Sequence, residues 1–270
     1  MQNKFLTPAK EEAQANHLLR RIWRSRIPFN PLAGTIFIIL FGVARYLMVI
    51  EATVTGSSRW LPMLFLLMIV VPVILLNKNG RRSIGLKKPT DYRWIVFAFL
   101  AGLAACFILY ALNLLLFQKS LENAIVYIAR SYDSALSAMR PGDRHVYFII
   151  YAAIGMTVSP FGEEIFFRGF IHENFAGKWG NNHASDADSV AFAVTHLIHF
   201  GFVYVSGQWS FYFAAATVWL TSMYVVSKLF FYCREKSGSI YGAVAAHSGF
   251  NLAMTWLIFY QIQLHNLPQV

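Results

Sequence analysis

Two adjacent carboxylates and an arginine, Glu163, Glu164 and Arg168, stand at the end of a strongly apolar stretch, in FGEEIFFRGF at 161–170. The apolar run before them begins near Val146 and reads VYFIIYAAIGMTVSP. A charged side chain at membrane depth costs about 2.5–3.5 kcal/mol on insertion scales, so such groups usually mark function. Two later apolar stretches carry His196, in SVAFAVTHLIHFGF, and His247 with Asn251, in GSIYGAVAAHSGFNLAMTW. A carboxylate, two imidazoles and an amide gathered inside a helix bundle could form one hydrolytic site. The carboxylate serves as base toward a water. Imidazole or amide N–H groups serve as donors to the developing oxyanion. A cavity that excludes bulk water strengthens both effects.

Spacing divides these residues into roles. On an α-helix adjacent residues diverge by about 100°, so Glu163 and Glu164 face different neighbours. Glu164 and Arg168 are an i, i+4 pair in the favourable order and can neutralise each other. Glu163 is left over and is the candidate reacting carboxylate. Glu164 and Arg168 then form a structural or substrate-carboxylate clamp. A plainer reading makes all three interfacial charges at a helix end. Phe192 and His196 are also i, i+4, an aromatic and an imidazole on one face. His199, three residues on, is adequately explained as a histidine bonded to a nearby carbonyl. His247 and Asn251 share a face among Gly242, Ala243, Ala246 and Gly249, small residues that let helices approach closely. The plainer reading of that pair is an interhelical polar clamp.

EExxxR at 163–168, FxxxH at 192–196 and HxxxN at 247–251, in this order on successive apolar segments, resemble the CPBP family. That family comprises the type II CAAX prenyl endopeptidases and the bacterial Abi intramembrane proteases. The resemblance covers roughly residues 146–262. It implies a multi-helix membrane bundle with a cavity open to one side, acting on a membrane-associated protein or peptide. Carried over motif by motif, it makes Glu163 and His196 the pair that activates water, and His247 and Asn251 the oxyanion stabilisers, without a cofactor. Two other readings stand beside it. In a zinc-dependent metalloprotease, Glu163, His196 and His247 would be the ligands and leave one position for water. Against it, the HExxH spacing is absent and Asn251 is a poor zinc ligand. In a non-enzymatic transporter or scaffold, the polar groups would line an ion path, but the paired interrupted helices of transporters are not evident.

The elements that must position these residues are apolar spans. The chain is 57% hydrophobic and 13% charged, against about 25% charged in a soluble domain. Runs near 20 apolar residues predict an all-α polytopic membrane helix bundle of about seven (six to eight) transmembrane helices, with interfacial amphipathic helices. The expected spans are roughly 31–50, 60–76, 94–117, 146 into the EE stretch, 189–205, 210–231 and 241–262, with a polar loop at 177–188. Arg45, near the end of the first, reads as a side chain snorkelling to the interface. The segment 119–141 reads as an amphipathic helix on the membrane surface, with Leu121, Ile125, Ile128, Tyr132, Leu136 and Met139 at helical spacing. Residues 1–30 form a basic N-terminal region with a helix expected over 7–26, and residues 31–270 the membrane domain.

The net charge of +10 lies in short clusters beside spans, such as Lys78, Arg81, Arg82, Lys87 and Lys88. That is the pattern of positive-inside anchors rather than of a nucleic-acid surface. The expected partners are therefore the lipid bilayer and a membrane-associated substrate, with no nucleic acid. The expected location is a bacterial inner membrane with the N-terminus in the cytoplasm. Cys106 and Cys233 fall in or beside spans and do not suggest a disulfide framework or a cysteine metal cluster.

Overall fold

The computed structural model describes residues 16–132, 136 and 139–262, and the following statements concern those residues. The fold is an all-α membrane bundle with one two-stranded hairpin. Helix α1 spans Pro31–Thr55 and is entered through Asn30, whose side chain accepts from the Ala33 N–H. It ends at Gly56 in the left-handed region, φ 70°. Then come α2 (Leu61–Leu75), α3 (Lys78–Ser83), α4 (Arg93–Phe117), α5 (Ala124–Arg130) and α6 (Arg144–Glu163). A π-helical segment, Glu164–Ile171, joins α6 to α7 (His172–His196). The hairpin β1 (Phe202–Val205) and β2 (Gln208–Phe211) leads to α8 (Phe213–Ser237) and α9 (Ile240–Trp256), and a second π segment, Leu257–Gln261, extends α9.

Four of these runs are long and apolar enough to cross a membrane: α1, α4, the run Arg144–His196, and α8. Helix α2, at 15 residues, is shorter. The burial pattern is that of a protein solvated by lipid. Leu47, Ile108, Leu115, Ile149 and Phe213 face outward, whereas Glu163, Glu164, Arg168, His172 and Asp188 are each at most 1% exposed. Helix α9 packs most extensively on α4, and also on α6 and α8. Small residues set the α4–α9 approach. A Cβ on Gly102 would collide with the Ala246 carbonyl, and one on Gly249 with the Phe99 carbonyl.

Helix α7 is interrupted at Gly180, φ 74° and ψ 165°, a conformation that glycine adopts without steric cost. His172 Nδ1 lies 2.9 Å from Asp188 Oδ2, yet sixteen residues of straight helix would separate them by about 24 Å. The chain therefore folds back at Gly180, and the expected fourth and fifth spans are the two limbs of one helical hairpin.

Several expectations need correction. The segment 181–188, expected as loop, is helical. Its polar residues have partners on neighbouring helices: Asp186 with Lys228 at 2.7 Å and Tyr224 at 2.9 Å, Ser185 with Lys228 at 2.9 Å. The fifth span ends at His196, not 205, because the chain turns at 197–201 and then pairs as a strand. The hairpin turns on Ser206 (φ 50°) and Gly207 (φ 77°), two successive positive φ values as a tight two-residue β-turn requires. In the amphipathic segment the helix is confined to Ala124–Arg130, and residues 133–135 and 137–138 lie outside the described residues. Of the N-terminal helix expected over 7–26, residues 7–15 also lie outside them, and 17–26 run as turns interrupted by an isolated bridge of Leu19 to Leu76. There Arg20 donates to the Leu76 and Val73 carbonyls at 3.2 and 3.1 Å, meeting the open carbonyls at the end of α2.

Candidate active site

The site is built where α6 gives way to the π segment. Pro160 cannot donate to the Met156 carbonyl, and its ring crowds that oxygen. Ser248 on α9 takes over, donating to the Met156 carbonyl at 2.6 Å. The i→i+5 turns that follow are wider than α turns, and such π segments recur at functional sites. They let both adjacent carboxylates turn inward: Glu163 is 1% and Glu164 0% exposed.

The two carboxylates have different partners, as their spacing predicts. Glu164 Oε2 lies 3.2 Å from Arg168 Nε, and Glu164 Oε1 lies 2.7 Å from His247 Nδ1. The Arg168 guanidinium sits over the Phe192 ring, 4.1 Å from its centroid. Glu163 Oε1 accepts from Arg45 Nη1 at 2.6 Å. Glu163 Oε2 is buried and makes no hydrogen bond among the described residues. It faces His196 Nε2 at 3.7 Å and His247 Nε2 at 3.8 Å. Glu163, His196 and His247, drawn from three distant segments, thus converge on one point.

The imidazoles are fixed by their other nitrogens. His196 Nδ1 is 2.7 Å from the Phe192 carbonyl. A carbonyl only accepts, so Nδ1 carries the proton and the neutral ring turns a bare Nε2 toward Glu163. The Trp219 indole donates to the His196 carbonyl at 3.0 Å and holds this end of α7. His247 donates through Nδ1 to the Glu164 carboxylate, and its ring stacks on Phe230, 4.9 Å between centroids and 19° between planes.

Asn251 is not brought to the same point. Its Nδ2 donates to the Gly155 carbonyl at 2.9 Å and to Ser159 Oγ at 3.2 Å. Both amide hydrogens therefore go to α6, about two turns and one turn before Glu163. The Met156 carbonyl opened by Pro160 explains why Ser248 points there.

Two residues read as bystanders belong to the site. Arg45 does not snorkel: it is 3% exposed. The first span was expected to end near 50, but α1 continues to Thr55. That puts Arg45 about 15 Å from the helix end, and its charge is met inside. His199 Nε2 lies 2.9 Å from Arg45 Nη2 and 3.1 Å from Arg45 Nε. The available signal was the placement of Arg45: the lone cation of the first apolar span requires a buried anion if it is not near an end.

The position facing Glu163 and His196 already holds a cation, the Arg45 guanidinium, whose Nη2 takes the bare His196 Nε2 at 3.2 Å. A metal sharing that carboxylate would be repelled at close range in a poorly screened interior. Among the described residues no group of three or more His, Cys, Asp or Glu is arranged to hold a metal ion.

Residues 145–253 match the family model described as Rce1-like, type II CAAX prenyl endopeptidase. Neither the curated proteins nor the solved structures gave a match. The matched stretch holds all three motifs, and α1 with Arg45 lies outside it. Over residues 145–253 this chain is thus similar to the type II CAAX prenyl endopeptidases, the family its three motifs resemble.

Proposed function

We propose that this protein is an intramembrane endopeptidase of the glutamate type. It would hydrolyse a peptide bond in a membrane-associated protein or peptide with water activated by Glu163 and His196. The observation that carries the reading is Glu163 Oε2, a buried carboxylate oxygen without a hydrogen bond among the described residues, facing two imidazole Nε2 atoms at 3.7 and 3.8 Å.

A water held at that point gives its proton to Glu163 Oε2 as its oxygen attacks the scissile carbonyl carbon. The C=O π electrons move onto the carbonyl oxygen. His196 aims that water when its bare Nε2, held by Arg45 Nη2 at 3.2 Å in the resting site, exchanges that hydrogen bond for one from the water. With both ring nitrogens protonated, His247 donates through Nε2 to the charged oxygen, and the Glu164 carboxylate is its counterion. The tetrahedral intermediate collapses, the C–N bond breaks, and the proton on Glu163 passes to the departing amine. Such general acid–base transfer contributes about 10²–10⁴-fold. Asn251, with both amide hydrogens on α6, is assigned to holding α9 against α6. No step is routed through a metal.

The basic loops support an N-terminus in the cytoplasm by the positive-inside pattern, and a bacterial inner membrane is the location in keeping with the Abi-like motifs. The test compares membrane proteomes of cells carrying the wild-type protein and Glu163→Gln. At least one membrane protein should accumulate uncut in the variant. Identical terminal peptides in both samples would remove the proposal.

A further inference from the structure

We propose that Arg45, on α1 and outside the family match, is a positioning residue of this site. In this view it holds Glu163 as a carboxylate, fixes Oε1, and leaves Oε2 as the reacting oxygen, with His199 as its buttress. The proposal rests on the peptidase reading for its catalytic consequence, but not for its chemistry.

The geometry is specific to a guanidinium. Nη1 donates to Glu163 Oε1 at 2.6 Å, Nη2 lies 3.2 Å from His196 Nε2, and Nη2 and Nε lie 2.9 and 3.1 Å from His199 Nε2. Two guanidinium N–H groups point at one His199 nitrogen, so that nitrogen is bare and accepts. The Arg45 Cζ also sits 5.8 Å from the Phe65 ring centroid. The neighbouring Tyr46 hydroxyl donates to the Val194 carbonyl at 2.8 Å, tying this turn of α1 to the turn of α7 that carries His196. Arg45 thereby gathers Glu163 and His196, the two residues assigned to water, into one rigid unit.

Two consequences follow. An isolated carboxylate in an apolar interior gives up its charge by taking a proton, and a paired one does not. A protonated Glu163 could not accept a proton from water. The carboxylate is also asymmetric. With Oε1 bound, rotation about the terminal bond is blocked, and Oε2 alone is presented to the imidazoles. A lysine could supply the charge but not the fork, since it offers a compact ammonium in place of a planar guanidinium.

The experiment uses the full-length protein in detergent and dicyclohexylcarbodiimide as probe. This apolar reagent adds to a protonated carboxyl group and leaves a stable adduct that peptide mass spectrometry locates. Glu163 should resist labelling in the wild-type protein and label at least tenfold more in Arg45→Met. Glu164, still beside Arg168, is the internal control and should stay unlabelled. Arg45→Lys should keep Glu163 unlabelled. With the substrate found in the Glu163→Gln comparison, it should lower kcat at least tenfold and leave KM within twofold. His199→Gln should show a smaller loss of kcat in the same direction. Unlabelled Glu163 in folded Arg45→Met overturns the charge role. Wild-type kcat in Arg45→Lys overturns the orienting role, and it decides the matter if Arg45→Met does not fold. If Glu163→Gln still cuts, the peptidase reading fails, while the labelling result still decides whether Arg45 holds Glu163 charged.

Discussion

Arg45 and Glu163 lie 118 residues apart in the chain, and Arg45 Nη1 stands 2.6 Å from Glu163 Oε1 with both side chains at most 4% exposed. Removing one partner of a buried pair typically costs about 3–5 kcal/mol, because the other charge is left without compensation. Glu163→Ala should therefore lose both activity and stability. Glu163→Gln keeps an acceptor for Arg45, so it should lose proteolysis with a smaller fall in melting temperature. Thermal unfolding of the two variants side by side checks this. Equal stability in both would mean that a neutral acceptor at position 163 gives Arg45 no compensation.

Glu164 holds the opposite balance. It ties Arg168, which is fully buried, to His247 Nδ1. Its loss should strip a counterion from Arg168 and free the His247 ring. Glu164→Ala should be poorly folded, by about 3–5 kcal/mol on the same reasoning. The fraction of Glu164→Gln that folds should turn over more slowly, because its amide side chain cannot be the counterion of a doubly protonated His247. Activity per folded molecule is the measurement. A folded Glu164→Gln with full turnover would show that the clamp serves stability alone.

Much of this site was legible in the sequence, and what was not has physical causes. Glu163, His196 and His247 stand in ordered motifs on apolar segments, and the i, i+4 spacing of Glu164 and Arg168 gave their pairing directly. Arg45 was missed because its span was ended five residues early, which made an interfacial position plausible; only the partner 118 residues away explains its burial. His199 followed the same error, since its reason for being there is Arg45. The segment 177–188 looked like a loop because it is polar. Its side chains Ser185 and Asp186 meet Lys228 and Tyr224 on α8, a tertiary effect that no local pattern carries. The small residues beside His247 were read correctly as a close helix contact.

The bend before the carboxylates can be tested through Ser248. Its hydroxyl bonds the Met156 carbonyl that Pro160 leaves open. Ser248→Ala should cost about 1–3 kcal/mol, the usual loss for an acceptor left unpaired in the interior. In a Pro160→Ala background the helix supplies its own N–H to that carbonyl, so the Ser248→Ala cost should shrink. A double-mutant cycle by thermal unfolding measures the coupling. Additive losses would mean that Ser248 stabilises something other than the bend.

Asn251 is the motif residue whose placement departs most from the role its motif implies. Its Nδ2 is bonded to the Gly155 carbonyl and to Ser159 Oγ, both on α6 and both before Glu163. As a clamp, it contributes to the docking of α9 and so acts on His247 only through helix position. Asn251→Ala should then lower the melting temperature while turnover per folded molecule falls less than tenfold. Asn251→Asp should be less stable than Ala, because a carboxylate would face the Gly155 carbonyl with no hydrogen to offer. An oxyanion donor would behave differently. Its removal costs about 10²–10³-fold in kcat, with little change in KM, because that contact forms fully only in the transition state. Measuring kcat, KM and unfolding on the same preparations separates the two. A loss of a hundredfold in kcat at unchanged stability would return Asn251 to the oxyanion and require its amide to leave Gly155 during turnover.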